Sequence, residues 1–192
     1  LLIVVFGASM LTFFVSGIQH SFGLYLVPIT EYLNIGREAF GFAFALQVFV
    51  AGFGAFFFGA LSDKYGSGIT AFIGSLLFIS GLLWFANTSS SFDIVGSQIL
   101  IGLGAAGAGT SVVLGAVGRA AKEKNRTFYL GVVMAGGSLG QFVILPITIM
   151  LIDRFQWSMS LVYLSSISAL MLILSFALNY SGKSELSIIG SK

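Results

Sequence analysis

The chain has 192 residues, of which 57% are hydrophobic and 8% are charged, with 25 glycines, no cysteine and a net charge of +2. Soluble domains carry about 25% charged residues, so nine basic and seven acidic side chains are too few for a water-soluble surface. This composition excludes a soluble enzyme, a disulfide-stabilised scaffold and a disordered chain, and the small net charge does not favour nucleic acid as a partner. We therefore expect an integral membrane protein.

The charged residues divide the chain into six uncharged stretches. In chain order these are 1–30, 39–62, 65–92, 94–118, 127–152 and 155–182. Each is long enough for one helix to cross about 30 Å of hydrocarbon, and none is long enough for two crossings. Helices satisfy their own backbone hydrogen bonds in lipid, and the stretches lack the alternation of barrel strands. The sequence predicts an all-α membrane protein with a six-helix transmembrane bundle over 1–180.

The first stretch is too long for the short apolar core of a signal peptide, so we expect it to be a full span with its N-terminal flank trimmed. At the other end, 181–192 is polar and is expected to be a cytoplasmic tail or the start of a linker. Three alternate connections, 30–38, 87–93 and 152–157, hold two basic residues, and the remaining connections and the tail hold seven. The positive-inside rule predicts a multi-pass protein of the cell (inner) membrane with both ends in the cytoplasm.

One short pattern occurs twice. Residues 61–65 and 151–155 both read Leu, any residue, Asp, a basic residue and an aromatic residue, and they lie 90 positions apart. Carriers are often built from inverted repeats, and the two segments are expected on opposite sides of the membrane. The sequence therefore predicts an inverted three-plus-three repeat.

Glycine is concentrated in the fourth and fifth stretches. Small residues let helix backbones approach closely in lipid, and we expect this role for Gly104, Gly107, Gly136 and Gly140. A sliding interface in a moving protein would use the same residues. The run at 102–109 is rich in glycine but lacks the preceding strand of a dinucleotide-binding loop, and no cofactor or metal site is predicted.

A few polar side chains lie inside the uncharged stretches. Such groups usually face a pathway or the bundle interior, or they form an interhelical hydrogen bond worth about 0.6 kcal/mol. We assign Gln19, His20, Gln47 and Gln141 as candidate substrate-binding residues, and we expect a hydrogen bond for Gln98. Gln19 continues a polar stripe formed by Ser9, Thr12, Ser16 and Gly23. Because adjacent helical residues do not share a face, Gln19 and His20 are not expected to point at one ligand together.

No Asp, Glu, Lys or Arg lies near the centre of any stretch. An anionic substrate would therefore find no cation within the spans of this chain. Either the substrate is neutral, or its countercharge comes from elsewhere, such as a second half of the protein.

The segment 59–66 resembles the loop signature of the major facilitator superfamily, which lies between the second and third helices of that family. Gly59, Asp63, Lys64 and Gly66 match the signature, whereas Ser67 and the residue after it stand where the family has two bases. The resemblance implies a gating role for this loop, with a weakened charged cluster.

Within that superfamily the chain is similar to the oxalate/formate antiporter and monocarboxylate transporter group. The segments that carry this similarity are 16–25 with Pro28, 46–52, and 131–140 with Pro146. The resemblance implies the amino-terminal half of a twelve-helix carrier, in which two six-helix bundles hold the substrate between them. It also implies that Gln19 and Gln47 face this cavity and that most carboxylate-pairing bases lie in the second half.

These observations predict a secondary active transporter of small organic solutes, monocarboxylates or dicarboxylates, which works by alternating access as an antiporter or symporter. The expected partners are a small organic anion, the lipid bilayer, and a carboxy-terminal six-helix half or a second copy of the chain. Enzymatic activity is not expected. Two alternatives remain: a non-transporting six-span subunit, and an intramembrane serine hydrolase that would use Ser111 and His20.

Overall fold

A computed structural model describes residues 1–181, with side chains up to Asn179, and every regular element in this range is helical. The α-helices are α1 (Leu2–Ser21), α2 (Leu26–Leu33), α3 (Arg37–Tyr65), α4 (Ser67–Ala86), α5 (Ser91–Ala108), α6 (Thr110–Ala120), α7 (Arg126–Ser168) and α8 (Leu170–Ser175). Three 3-10 turns occupy Phe22–Tyr25, Glu123–Asn125 and Phe176–Ser181. Apart from its first residue, the tail predicted at 181–192 lies outside the described residues.

Consecutive helices join into apolar runs long enough to cross a membrane. The described part of the chain has five such runs: Leu2–Leu33, Arg37–Tyr65, Ser67–Ala86, Ser91–Ala120 and Glu123–Asn179. The last has 57 residues, about twice the length that one crossing needs. The breaks between runs fall inside the connections that the charged residues predict.

The 57-residue run folds back on itself at Gln156, where the backbone leaves the helical region (φ 67°, ψ 165°). Helix α1 lies parallel to the part of α7 before this break and antiparallel to the chain after it. The contacts that show this are Ser9 with Gly136 and Gly17 with Ile144 before the break, and Tyr25 with Ser160 and Gly7 with Ala177 after it. The bundle therefore has six crossings, as predicted.

The two sets of three crossings pack in the same way. The first crossing lies parallel to the fifth, and the fourth lies parallel to the second, where Gln47 contacts Gly102 and Gly54 contacts Ala106. The third and sixth crossings lie antiparallel to each other; the contacts are Ala86 with Ser158 and Phe72 with Phe176. This arrangement confirms the inverted three-plus-three repeat.

The repeated five-residue pattern ends in the same backbone geometry in both copies. The next residue has a positive φ each time, 95° at Gly66 and 67° at Gln156. We call the end of the bundle with the first copy the Asp63 end, and the end with the second copy the Gln156 end. The pattern thus reverses the chain at opposite ends of the bundle.

The predicted packing glycines lie at crossings of the backbone. Gly104 contacts the backbone of Phe78, Gly107 contacts Gly74, Gly136 contacts Ser9, and Gly140 contacts the Phe13 carbonyl. A Cβ added at Gly136 would lie 2.7 Å from the Ser9 carbonyl oxygen, closer than van der Waals contact allows. The absence of a side chain is therefore what permits these helices to approach.

A cluster of buried aromatic side chains fills the interior of the bundle just beyond the middle of the first crossing. The 3-10 turn that follows α1 places Phe22 and Tyr25 against Phe85, with ring centroids 5.8 Å and 6.2 Å away. The Tyr25 hydroxyl lies 2.7 Å from the Ser160 hydroxyl of the sixth crossing. These buried contacts anchor the end of α1, the last turn of which carries Gln19 and His20.

Candidate substrate cavity

A cavity of about 440 Å³ lies between the first crossing and α3. The residues that line it are Gln19, His20, Gly23, Phe44, Gln47, Val48 and Ala51. Three of the four predicted substrate-binding residues are therefore brought together in one place, although Gln47 lies 28 positions from Gln19 along the chain.

Gln47 contributes a buried amide to this cavity. Its side chain has no exposed surface, and neither Oε1 nor Nε2 has a hydrogen-bond partner among the described residues. A buried amide without partners costs about 1–3 kcal/mol. Because the amide has no accessible surface in this conformation, a polar ligand in the cavity would pair with it only after the side chain rotates, and the amide could then donate and accept at the same time.

His20 is an exposed residue that borders the cavity, and one of its ring nitrogens is used locally. Its Nδ1 lies 2.8 Å from the Ser16 carbonyl oxygen. Because a carbonyl only accepts, Nδ1 carries the hydrogen, and in the neutral ring Nε2 is an acceptor. Gln19 and His20 border the same cavity, and the expectation that they do not point at one ligand together stays a prediction. The cavity is wide enough to border two adjacent directions on one helix.

Gln141 lies in a second, smaller cavity of about 90 Å³. Thr12, Ser16, Thr110, Met134, Gly137 and Ser138 line it with Gln141. The fourth crossing is interrupted at Gly109, whose backbone is extended, and α6 begins there with Thr110. The structure therefore separates Gln141 from the other three candidates, and the predicted polar stripe reaches both cavities.

The stripe on α1 changes its role along the helix. Ser9 and Thr12 are buried against α7, where Thr12 Oγ1 lies 3.0 Å from the Val133 carbonyl oxygen. Ser16 faces the smaller cavity, and Gln19 and Gly23 face the larger one. Thr12 also borders the smaller cavity, so the part of the stripe from Thr12 to Gly23 lies along the two cavities.

Neither cavity is lined by Asp, Glu, Lys or Arg. Within residues 1–181 no group of three or more His, Cys, Asp or Glu side chains is placed to hold a metal ion. The chemistry available to a substrate here consists of amides, hydroxyls and one imidazole.

A polar cluster joins three crossings at the Asp63 end. Arg119, at the end of α6, lies 2.8 Å from the Asp63 carboxylate and donates to the hydroxyls of Ser62 and Ser67. Asp63 is 72% exposed, so the ion pair adds about 0–1 kcal/mol to stability. Its importance is geometric, because one guanidinium holds the second and third crossings to the fourth.

The other residues of the loop signature shape the turn. Gly59 has open space where a side chain would be, the Lys64 Nζ lies 5.1 Å above the Tyr65 ring, and Gly66 has φ 95°. That φ is rare for residues with a Cβ. The glycine therefore allows the reversal between α3 and α4 without strain.

At the Gln156 end, Asp93 closes the connection 87–93 that precedes the fourth uncharged stretch. Hydrogen bonds from the Ser90 hydroxyl, the Ser89 N–H and the Trp84 indole lower the pKa of Asp93 to about 2. Ser90 also caps α5 by accepting from the Asp93 N–H at 3.2 Å. Asp93 is consequently a fixed negative charge at physiological pH.

The family profile described as Major Facilitator Superfamily matches residues 2–188. The chain belongs to the major facilitator superfamily. The inward-open structure of the xylose transporter XylE from E. coli is similar in fold, with a TM-score of 0.70 and 16% sequence identity. The match covers 91% of this chain and 46% of XylE, so the chain spans about half the length of that transporter. No curated protein gives a significant match.

Membership of the major facilitator superfamily confirms the family resemblance seen in the loop signature. It also confirms an integral, multi-pass membrane protein of a transporter family rather than an enzyme. The similarity to the oxalate/formate and monocarboxylate group stays a prediction, and so does the orientation of the two ends.

Three features of this superfamily bundle were missed from the sequence. From the sequence, Arg119 counts only as a basic residue of a connection, although the predicted orientation puts it on the same side of the membrane as Asp63. The only sequence signal for the helix interruption at Gly109 is the high local density of glycine. Gln98 is buried and its Oε1 has no partner, so this atom does not form the hydrogen bond that we expected for Gln98.

Proposed function

We propose that this chain is the cavity-forming half of a secondary carrier for small organic anions. The observation that carries the proposal is the fully buried, unpartnered amide of Gln47, which lines an open cavity together with Gln19 and His20. Proteins seldom leave a buried amide unpaired unless a ligand or water serves it. A carrier binds its substrate near mid-membrane between two repeats or bundles, and the cavity lies between mid-length positions of the first two crossings.

A second six-helix bundle is the proposed partner. The chain spans 46% of XylE, and α3 presents a largely exposed apolar face that includes Phe49, Phe53 and Phe56. This second bundle would be the carboxy-terminal half of the same carrier or a second copy of the chain. Alternating access would then consist of rocking one bundle against the other around the cavity.

Carboxylates are the proposed substrate class because of the residues in spans one, two and five that resemble the oxalate/formate and monocarboxylate group. The uncharged lining supplies hydrogen bonds to the carboxylate oxygens through the Gln19 and Gln47 amides. Xylose, the sugar named for the structural neighbour, is the neutral alternative that the same amides could bind.

A pair of glutamine variants tests the cavity assignment. Gln47→Leu removes the buried amide from the cavity and is expected to weaken binding of radiolabelled lactate, formate or oxalate about tenfold or more. Gln98→Leu is the matched control, since Gln98 is equally buried but lines neither cavity. Gln19→Ala should also weaken binding.

Binding is measured on the full-length protein in detergent, and uptake is measured in proteoliposomes. Equal losses for Gln47→Leu and Gln98→Leu would show that the cavity is not the substrate site. Preferential binding of xylose would indicate that the substrates are sugars rather than carboxylates. Absence of binding for every probe would favour a non-transporting membrane subunit.

A further inference from the structure

The inverted repeat gives the Arg119 cluster a counterpart at the Gln156 end. Ser62 and Ser67 accept hydrogen bonds from Arg119, and the residues 90 positions after these serines are Ile152 and Trp157. An open groove of about 620 Å³ lies there, lined by Pro28, Glu31, Tyr32, Ile152, Gln156 and Trp157. The place that holds a guanidinium at the Asp63 end is therefore open at the Gln156 end.

The groove has a carboxylate where the other end of the bundle has a base. The residue 90 positions before Arg119 is Ile29, which is fully buried. Two positions later, Glu31 lines the groove, and its exposed side chain has neither an ion pair nor a hydrogen bond among the described residues. Arg154 does not line the groove and forms no ion pair with Glu31. An unpaired negative charge thus borders the groove.

Two aromatic side chains are the second component of a cation site. The rings of Tyr32 and Trp157 meet edge to face, with centroids 5.4 Å apart and 60° between their planes. Aromatic residues are common at membrane surfaces, but here they border the same groove as the Glu31 carboxylate. A ring face attracts a cation that lies within about 6 Å of its centroid. The carboxylate and the rings can therefore act on one cation together.

The lining of the groove favours a quaternary ammonium over a guanidinium. A guanidinium has five N–H groups, and at the Asp63 end the hydroxyls of Ser62 and Ser67 accept from it. Ile152 and Trp157 replace these hydroxyls in the groove, so N–H groups of a guanidinium would lose partners there, which is unfavourable. A quaternary ammonium has no N–H group and presents methyl groups to aromatic rings.

We propose that the groove at the Gln156 end binds a quaternary ammonium group, carried by a free solute or by a phospholipid headgroup. Glu31 supplies the countercharge, and the rings of Tyr32 and Trp157 contact the methyl groups. The groove shares no lining residue with the cavity of Gln47. Binding at this site therefore goes beyond the proposed carrier function and does not depend on the substrate of the carrier.

Binding is measured through the fluorescence of Trp157 in the purified protein in maltoside micelles without phospholipid. The chain has two tryptophans, so Trp84→Phe leaves Trp157 as its only tryptophan. Choline should change the fluorescence in a saturable way, with a Kd in the millimolar range. Neohexanol, the neutral isostere in which carbon replaces the nitrogen of choline, should bind at least about threefold more weakly. Equal affinities for the two probes would overturn the proposal.

Variants of the groove are made in the same background. Glu31→Gln removes the countercharge at constant size, so choline should bind about threefold to fivefold more weakly, with neohexanol unaffected. Glu38→Gln is the matched control, because Glu38 is exposed at the same end but does not line the groove. Tyr32→Leu should also weaken choline binding, and Tyr32→Phe should retain it. Thermal unfolding confirms that each variant is folded.

Equal losses in Glu31→Gln and Glu38→Gln would show that choline responds only to the overall charge of this end, and the groove would not be its site. Vesicles distinguish the two sources of the ammonium group. If a headgroup occupies the groove, phosphatidylcholine added to phosphatidylglycerol vesicles should displace free choline; undiminished choline binding assigns the site to free solutes. Absence of choline binding in micelles and in phosphatidylglycerol vesicles would overturn the site, while the carrier proposal would still be tested by Gln47→Leu.

Discussion

At the scale of single residues, the sharpest feature is the backbone of Gly66 and Gln156. They lie 90 positions apart and reverse the chain at opposite ends of the bundle, with φ 95° and 67° and ψ 149° and 165°. This region is essentially restricted to glycine, and other residues there cost about 1–3 kcal/mol. One copy of the repeat has glycine at this position, and the other has a glutamine under backbone strain.

We expect Gln156→Gly to raise the free energy of unfolding by about 1 kcal/mol, because glycine adopts this conformation without strain. Gly66→Ala should lower the free energy of unfolding by a similar amount. No atom lies within 4 Å of the added Cβ, so a steric clash does not contribute to this change. Denaturant unfolding in detergent micelles measures both. Gln156→Ala is the control that shortens the side chain without relieving the backbone. Equal stabilities of Gln156→Ala and Gln156→Gly would show that the strain is absent.

At the scale of helices, two pairs of parallel crossings, related by the inverted repeat, pack closely in the bundle. The first crossing meets the fifth at Gly136, and the second meets the fourth at Gly102, where an added Cβ would lie 2.6 Å from the Gln47 carbonyl oxygen. Close packing of the second pair therefore also sets the position of the buried amide in the cavity. Gly102 therefore connects the packing of the second and fourth crossings with the position of Gln47 beside the cavity.

Gly136→Ala should destabilise the bundle by about 1–3 kcal/mol, since the new methyl group would overlap the Ser9 backbone and force the helices apart. Gly131→Ala is the matched control in the same helix, because a Cβ at Gly131 meets nothing within 4 Å. Its stability should stay equal or rise slightly, as alanine favours helix. Thermal unfolding in detergent compares the two. A Gly136→Ala protein as stable as the control would contradict the proposed packing role.

At the scale of the whole molecule, the Asp63 end is where a moving bundle would be held. Arg119 joins the ends of the second, third and fourth crossings through Asp63, Ser62 and Ser67. The family signature has two bases after its second glycine, and here one guanidinium from another crossing contacts the aspartate instead. Because the ion pair is exposed, it contributes little to stability, and a role in conformational change is the stronger expectation.

Asp63→Asn should lower the transport rate more than it weakens substrate binding. Arg119→Lys should have the same effect, because an ammonium group cannot form the forked contact with three partners. The double variant should be no slower than either single variant if the two residues act as one unit. Initial uptake rates in proteoliposomes and equilibrium binding in detergent separate the two quantities. Unchanged rates in both single variants would exclude the gating role.

Much of the architecture follows from the sequence alone. A charged side chain is costly in hydrocarbon and a crossing needs about 20 residues, so the spacing of sixteen charges predicted six crossings and the connections between them. The repeated pattern at 61–65 and 151–155 predicted the inverted repeat, and the loop signature resembled the family that the profile match then showed.

The tertiary structure decided which of the predicted residues lie together. It placed Gln19, His20 and Gln47 around one cavity and Gln141 in another, and it brought Arg119 to Asp63 across 56 positions. Hydrophobic spacing tells how many helices cross and where they end. The height and rotation of each helix against its neighbours come from backbone contacts at glycines and from the aromatic core, and these depend on residues far apart in the chain.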